Sequence, residues 1–229
     1  MALISVIIPA LNEASQIGAS LDQFISQAGE WECLVVDGGS SDDTVERAAS
    51  KGARVLRAEG GRGPQMNAGA AAARGDLLLF LHADARLPED AAALMAKTLE
   101  DPRVVAGCFR IRHTASRWEG SWRAGLLRVA DLRSRYTRLP YGDQGLFLRR
   151  ATFEALGGFP GLPLMEDLAF SRILAARGRI ATVAKPMQVS ARRFESGFLR
   201  AVLCMNSFPL LARLGVSAHR LQRWYGHGR

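Results

Sequence analysis

Gly75-Asp76-Leu77-Leu78-Leu79-Phe80-Leu81-His82-Ala83-Asp84-Ala85-Arg86-Leu87-Pro88 is the stretch whose reading settles the fold class. Leu77 to Leu81 is an unbroken apolar run between turn residues, the pattern of a strand buried on both faces of a mainly parallel sheet. Polar groups occur only where it ends, at His82 and Asp84, and two residues apart on a strand they point the same way. Open α/β sheets bind ligands outside the carboxyl ends of their strands. A carboxylate there is placed to hold a divalent cation against a bound phosphate; the plainer role for Asp84 is to cap the turn. Pro88, with Glu89 and Asp90 behind it, opens a helix.

Towards the N-terminus the alternation of strand and helix repeats. Leu3 to Pro9 reads as a first strand, and Ile17, Leu21, Phe24 and Ala28 share one face of the helix after it. Glu32 to Val36 is a second strand, ending in Asp37-Gly38-Gly39-Ser40-Ser41-Asp42-Asp43-Thr44. The glycines allow a tight turn there, and a serine or aspartate caps the next helix. Ala53 to Leu56 is a third strand, leading into Glu59-Gly60-Gly61-Arg62-Gly63-Pro64; Gln65 to Arg74 is an alanine-rich helix with Gly75 as its stop. Such alternation is the signature of a layered α/β domain.

Beyond residue 100 the pattern loosens. Val104 to Ile111 is a strand, followed by an Arg- and Trp-rich stretch to Pro140. Gly145 to Leu148 is a short strand, and Arg150 to Leu156 a helix stopped by Gly157 and Gly158. Glu166 to Arg177 is a helix with Gly178 after it, Ile180 to Ala184 is one more strand, and two basic amphipathic segments close the chain. The expected organisation is one domain over 1–229: a nucleotide-binding half (1–100), an acceptor and catalytic half (101–190), and a basic helical extension (191–229).

Composition narrows the class. The chain has 229 residues, 48% hydrophobic and 23% charged, enough for a sizeable core and with disorder not the default. Cys33, Cys108 and Cys204 are odd in number and far apart, without CxxC or zinc spacing. They read as buried free thiols of a reducing compartment, so a cytoplasmic location is expected. Met1 to Pro9 has no basic leader region, and no apolar run is long enough to span a membrane. The net charge of +8 comes mostly from arginine in the second half. Without a recognised nucleic-acid motif, it points to phosphorylated small molecules or an anionic membrane face.

Several motifs then follow in a telling order: Ile4 to Glu13 (ISVIIPALNE), Val36 to Thr44, Asn67-Ala68-Gly69, Phe80-Leu81-His82-Ala83-Asp84 and Met165-Glu166-Asp167. In this order, over roughly residues 1–190, the chain resembles family 2 glycosyltransferases, and especially a short bacterial subgroup with a histidine-containing metal motif and a Tyr141-Gly142-Asp143-Gln144-Gly145 segment. The resemblance implies the GT-A fold, a mixed, mainly parallel sheet flanked by helices. It also implies transfer from a UDP- or GDP-sugar to a hydroxyl acceptor, usually with inversion and with Mn²⁺ or Mg²⁺.

On that reading Pro9, Leu11 and Glu13 line the nucleoside pocket, and Asp37 accepts hydrogen bonds from base or ribose, its plainer role being a turn cap. Arg62 and Asn67 flank the diphosphate, arginine being well matched to phosphate; a solvated loop arginine is the alternative. The family's metal motif has two aspartates around one residue, whereas here the first is His82. Asp84 with substrate phosphates and water suffices for Mg²⁺, while imidazole suits Mn²⁺ better, leaving His82 a ligand or a supporting group. Asp167 matches the family's base and Glu166 is its neighbour; both acids would also stabilise a helix N-terminus. Asp143 and Gln144 line the acceptor side or form a plain turn. Trp118 and Trp122, at helical spacing, stack on sugar, meet a membrane surface or, as such residues more commonly do, pack on the sheet. Phe198, Val202, Met205 and Leu210 read first as core, with Arg200, Arg213, Arg220 and Arg223 keeping contact with anionic lipid open. Two rivals remain: a non-catalytic nucleotide-sugar binding protein, and a sugar nucleotidyltransferase, disfavoured because Pro9 to Glu13 stands where that class has a glycine-rich basic loop.

Overall fold

The structure, a computed structural model, describes residues 2–114, 121, 122, 125, 127, 128, 131, 132, 134, 139–195, 203, 207, 208, 211, 212 and 214–225. The first half runs β1 (Ile4–Ala10), α1 (Ala14–Ser26), β2 (Trp31–Asp37), α2 (Thr44–Ser50), β3 (Arg54–Arg57), α3 (Arg62–Ala72), β4 (Leu77–Phe80), β5 (Ala85–Arg86) and α4 (Ala91–Leu99). The second half runs β6 (Val104–Thr114), a 3-10 turn (Gly142–Gln144), β7 (Leu146–Arg149), α5 (Arg150–Ala155), α6 (Glu166–Arg177), β8 (Arg179–Ser190), α7 (Arg192–Glu195) and α8 (Ala218–Tyr225). The strands form one sheet in the order β3-β2-β1-β4-β7-β6-β8-β5. β1 to β4 are mutually parallel, β7 runs antiparallel between β4 and β6, and β5 antiparallel to β8. This is the expected mixed, mainly parallel α/β architecture.

The apolar run Leu77 to Phe80 is explained by its place in the middle of that order. Leu79 faces a core that includes Val6, Ile8, Ile17, Phe24 and Met95, under α1 and α4. Leu78 and Phe80 face the opposite core, with Ile7, Val36, Met66, Phe170 and Leu174 under α3 and α6. Leu78 and Leu79 are fully buried, and truncating either to alanine would cost about 2–5 kcal/mol.

Several expectations are corrected. Ala28 lies beyond the end of α1 and is exposed. Gly75 does not stop α3, which ends at Ala72. A Cβ on Gly75 would sit 2.5 Å from the Leu3 carbonyl oxygen and 2.8 Å from the Ser5 nitrogen, so the glycine admits β1 close to the start of β4. α4 begins at Ala91, after a turn in which the Ala91 N–H donates to the Pro88 carbonyl. The last strand runs through to Ser190 rather than ending at Ala184; Pro186 is taken up at a register shift opposite Arg110. Trp122 is 64% exposed rather than packed on the sheet. Trp118, with Phe198, Val202, Met205, Leu210, Arg200 and Arg213, lies outside the described residues.

Candidate active site

Because β1, β2 and β4 are parallel, the residues after Ala10, Asp37 and Phe80 emerge along one edge. There the Asp37 carboxylate accepts the N–H groups of Gly39 (3.0 Å) and Ser40 (3.1 and 3.2 Å), realising the turn-cap role and fixing its orientation. Asn12 adopts φ 54°, and its side-chain oxygen accepts the Ser41 N–H at 2.9 Å. The Asn12 and Glu13 N–H groups donate to Ser40 Oγ and Thr44 Oγ1. The loops after β1 and β2 are thus laced together.

Two residues the sequence did not single out complete that edge. The Gln65 amide, buried on α3, donates to the carbonyls of Ala10 (3.0 Å) and Val36 (2.9 Å), bridging the strand tips. Arg192 Nη2 meets Glu13 Oε2 at 2.6 Å across 179 residues. A lone glutamine in an alanine-rich helix carries no periodic signal, and so distant an ion pair has none in one sequence.

The turn after β4 departs from the alternation argument. The strand ends at Phe80, and the Ala85 N–H donates to the His82 carbonyl, so His82 and Asp84 sit in a turn and not on a strand. The Asp84 carbonyl accepts the Ser190 N–H from the end of β8 at 3.1 Å. His82 Nε2 lies 3.2 Å from where a Cβ on Gly142 would be, on the side of the catalytic half. Asp84 is buried, and its Oδ1 has no hydrogen-bond partner. A buried carboxylate oxygen left unpaired is costly unless a ligand neutralises it, so it fits a divalent cation. Among the described residues, no three His, Cys, Asp or Glu cluster as a complete metal cage.

Asp167 stands across from this turn, near the start of α6. Its Oδ2 accepts the Gly142 N–H at 2.6 Å and its Oδ1 the Leu168 N–H at 2.6 Å. Burial pushes its carboxyl above the ordinary aspartate range, helped by the charge of Asp143, against the two N–H groups and the Arg62 charge. A small pocket brings Asp167 together with Pro9, His82 and Gly142, walled by Tyr141 and Phe159. Asp37 and Asp84 flank the same edge of the sheet without lining that pocket.

Two expected ligand residues have their side-chain amides bonded to backbone groups. The Asn67 amide donates to the Phe159 carbonyl and accepts the Phe159 N–H, both at 2.9 Å, holding the loop ahead of α6. Gln144 is buried: it accepts the Tyr141 N–H at 3.0 Å and donates to the Phe109 carbonyl at 3.3 Å. His113 Nδ1 pairs with Asp131 Oδ1 at 2.6 Å. Burial pushes the thiols of Cys33 and Cys108 up to about 12 and about 11, consistent with inert thiols.

The parallel strand tips thus bring a turn-capping aspartate and a buried aspartate with an unpaired oxygen to one edge, and the start of α6 sets the Asp167 carboxyl across from them. The chain matches the family described as Glycosyl transferase family 2 over residues 5–157. It is 33% identical over 232 residues to a PGL/p-HBAD biosynthesis glycosyltransferase of Mycobacterium bovis, covering 93% of this chain and 87% of that protein. Among solved structures, a mannosyltransferase of Pyrobaculum calidifontis in complex with GDP-Man and Mn²⁺ superposes with TM-score 0.62 at 24% identity, over 82% of this chain and 56% of that one. Glucosyl-3-phosphoglycerate synthase of Mycobacterium tuberculosis, in complex with Mn²⁺, UDP and glucosyl-3-phosphoglycerate, gives TM-score 0.54 at 25% identity, over 82% of this chain and 70% of that one. The chain belongs to glycosyl transferase family 2 and is a glycosyltransferase.

Proposed function

We propose that the protein transfers a sugar from a UDP- or GDP-sugar to a hydroxyl acceptor by single displacement with inversion, Asp167 acting as general base. The observation that carries this is the elevated Asp167 carboxyl, held by two backbone N–H groups in a pocket shared with Pro9 and His82. The nucleoside would lie against Pro9, Leu11, Glu13 and Asp37, on the loops that Asn12 and Gln65 brace. A Mn²⁺ or Mg²⁺ held by Asp84, with His82 as ligand or support, would supply positive charge to the leaving diphosphate. Both superposed relatives carry Mn²⁺ and a nucleotide, which supports that donor class.

The acceptor oxygen forms its bond to the anomeric carbon as its proton passes to Asp167. The bond from that carbon to the diphosphate breaks, and its electron pair leaves with the diphosphate. Each face of the carbon is used once, so configuration inverts, through an oxocarbenium-like transition state. Raising the carboxyl's pKa makes Asp167 a stronger proton acceptor at neutral pH. Arg62, whose charge acts on Asp167, opens α3 near the place proposed for the diphosphate.

Titration of the purified protein with UDP, GDP and their sugars, with and without Mn²⁺, tests the donor half. Comparison of turnover by the wild type and Asp167→Asn tests the catalytic half; equal rates would favour a nucleotide-sugar binding protein. Contact with an anionic membrane face is a second element of the proposal. α8 exposes Arg220 and Arg223 alongside Trp224, which is 53% exposed. Sedimentation with anionic against zwitterionic vesicles reads this out. Among the described residues no helix is long and apolar enough to cross a membrane.

A further inference from the structure

We infer that β6 and the turn preceding β7 form an acceptor subsite in which Arg110 and Asp143 grip a vicinal diol of a neutral carbohydrate. The inference rests on the glycosyl-transfer reading and names the substrate class of its acceptor side.

Asp143 Oδ1 and Arg110 Nε are both buried and both lack a hydrogen-bond partner. Native folds leave few such atoms, and each one calls for an explanation. The two belong to adjoining elements. The Gln144 amide, next to Asp143, bonds the carbonyl of Phe109, next to Arg110. Burial and then the charge of Asp143 raise the Cys108 thiol, and Cys108 shares a face of β6 with Arg110 two residues on. Phe109 and Ile111 occupy the opposite face, in the core. Asp143 also acts on the carboxyl of Asp167, so the acidic member of the pair lies near the proposed base.

The chemistry of the two unfilled atoms is complementary to a diol. A carboxylate oxygen accepts from one hydroxyl, while a guanidinium N–H donates to the oxygen of the next. The carboxylates of Asp143 and Asp167 offset the charges of Arg110 and Arg62, so the described side chains around the pair carry no excess of positive charge to hold an anionic acceptor. That balance favours a neutral polyol. Gln144, already paired on both sides of its amide, takes no part.

The test uses the whole chain with saturating donor and Mn²⁺. Its probes are methyl glycosides, their deoxy analogues lacking one hydroxyl of a diol, and glycerol 3-phosphate as an anionic hydroxyl compound. Compared at a pH well above the acid limb of each profile, where the base is ionised in every protein, Arg110→Met and Asp143→Asn should each raise the acceptor KM by about tenfold or more, the loss falling on KM rather than on kcat. Donor affinity by calorimetry should stay within about twofold. The melting temperature should hold or rise, because Arg110→Met removes a buried N–H that has no partner and Asp143→Asn removes the charge from a carboxylate whose buried Oδ1 has none. Deoxy analogues should lose the same factor with wild type and no further factor with the variants. Unchanged KM in both variants overturns the inference. So does transfer to glycerol 3-phosphate alone, a marked drop in melting temperature in both variants, or failure of donor-bound wild type to bind or glycosylate any glycoside. Failure of the wild type to bind any donor is a separate result, which removes the glycosyl-transfer reading beneath it.

Discussion

The Asp167 carboxylate accepts the backbone N–H of Gly142 at 2.6 Å, joining the start of α6 to the turn before β7. One oxygen is held by Gly142 and the other by Leu168, so the carboxylate is fixed before any substrate arrives. Replacement by asparagine keeps the shape and removes the proton acceptor. Asp167→Asn should lower kcat by about 10²–10⁴-fold and leave donor affinity nearly unchanged. Steady-state turnover alongside donor calorimetry checks both halves.

The pH dependence follows from the same group. Its carboxyl titrates above the usual aspartate value of about 3.9, so activity should fall as the pH drops through that raised value and the base becomes protonated. Asp143 is one cause of the elevation and Arg62 opposes it. The acid limb of the kcat/KM profile should therefore move to lower pH in Asp143→Asn and to higher pH in Arg62→Met.

Gly142 packs between His82 and Asp167. An added Cβ would stand 3.2 Å from both His82 Nε2 and Asp167 Oδ2, tighter than ordinary contact. Gly142→Ala should displace the base or the imidazole by a few tenths of an ångström. We expect a loss of about tenfold or more in kcat, with a far-ultraviolet spectrum and melting temperature close to wild type.

Gln65 bridges the tips of β1 and β2 from inside the core. Gln65→Leu removes the side-chain donor from the Ala10 and Val36 carbonyls, of which that of Ala10 keeps the Gly38 N–H, at a cost of about 1–3 kcal/mol in all. Urea denaturation should show that destabilisation. Donor affinity should weaken as well, since the loops carrying Glu13 and Asp37 spring from those strand tips.

The strand-to-helix alternation of the first hundred residues was legible because the apolar runs there are short, continuous and separated by glycine-rich turns. Glu166 to Arg177 was legible to the residue, bounded by a loop with three glycines and by Gly178. The end of β8 was not, because Pro186 in a sequence pattern reads as a strand breaker and only the pairing with β6 shows the shift that absorbs it. The orientation of His82 was missed for a related reason: the side-chain alternation of a strand was carried two residues into a turn. Asn67 and Gln144 have residue types that suit ligand binding equally well as backbone bracing. The bracing contacts to Phe159 and Phe109 are visible only in the fold.

Donor binding by calorimetry, with and without Mn²⁺, in wild type and Asp84→Asn, tests the central claim most directly. The account predicts saturable binding of a UDP- or GDP-sugar by wild type in Mn²⁺, weakened about tenfold or more by chelation or by Asp84→Asn. Absence of binding to every nucleoside diphosphate and nucleoside-diphosphate sugar, or the same affinity with and without metal in both proteins, would contradict it.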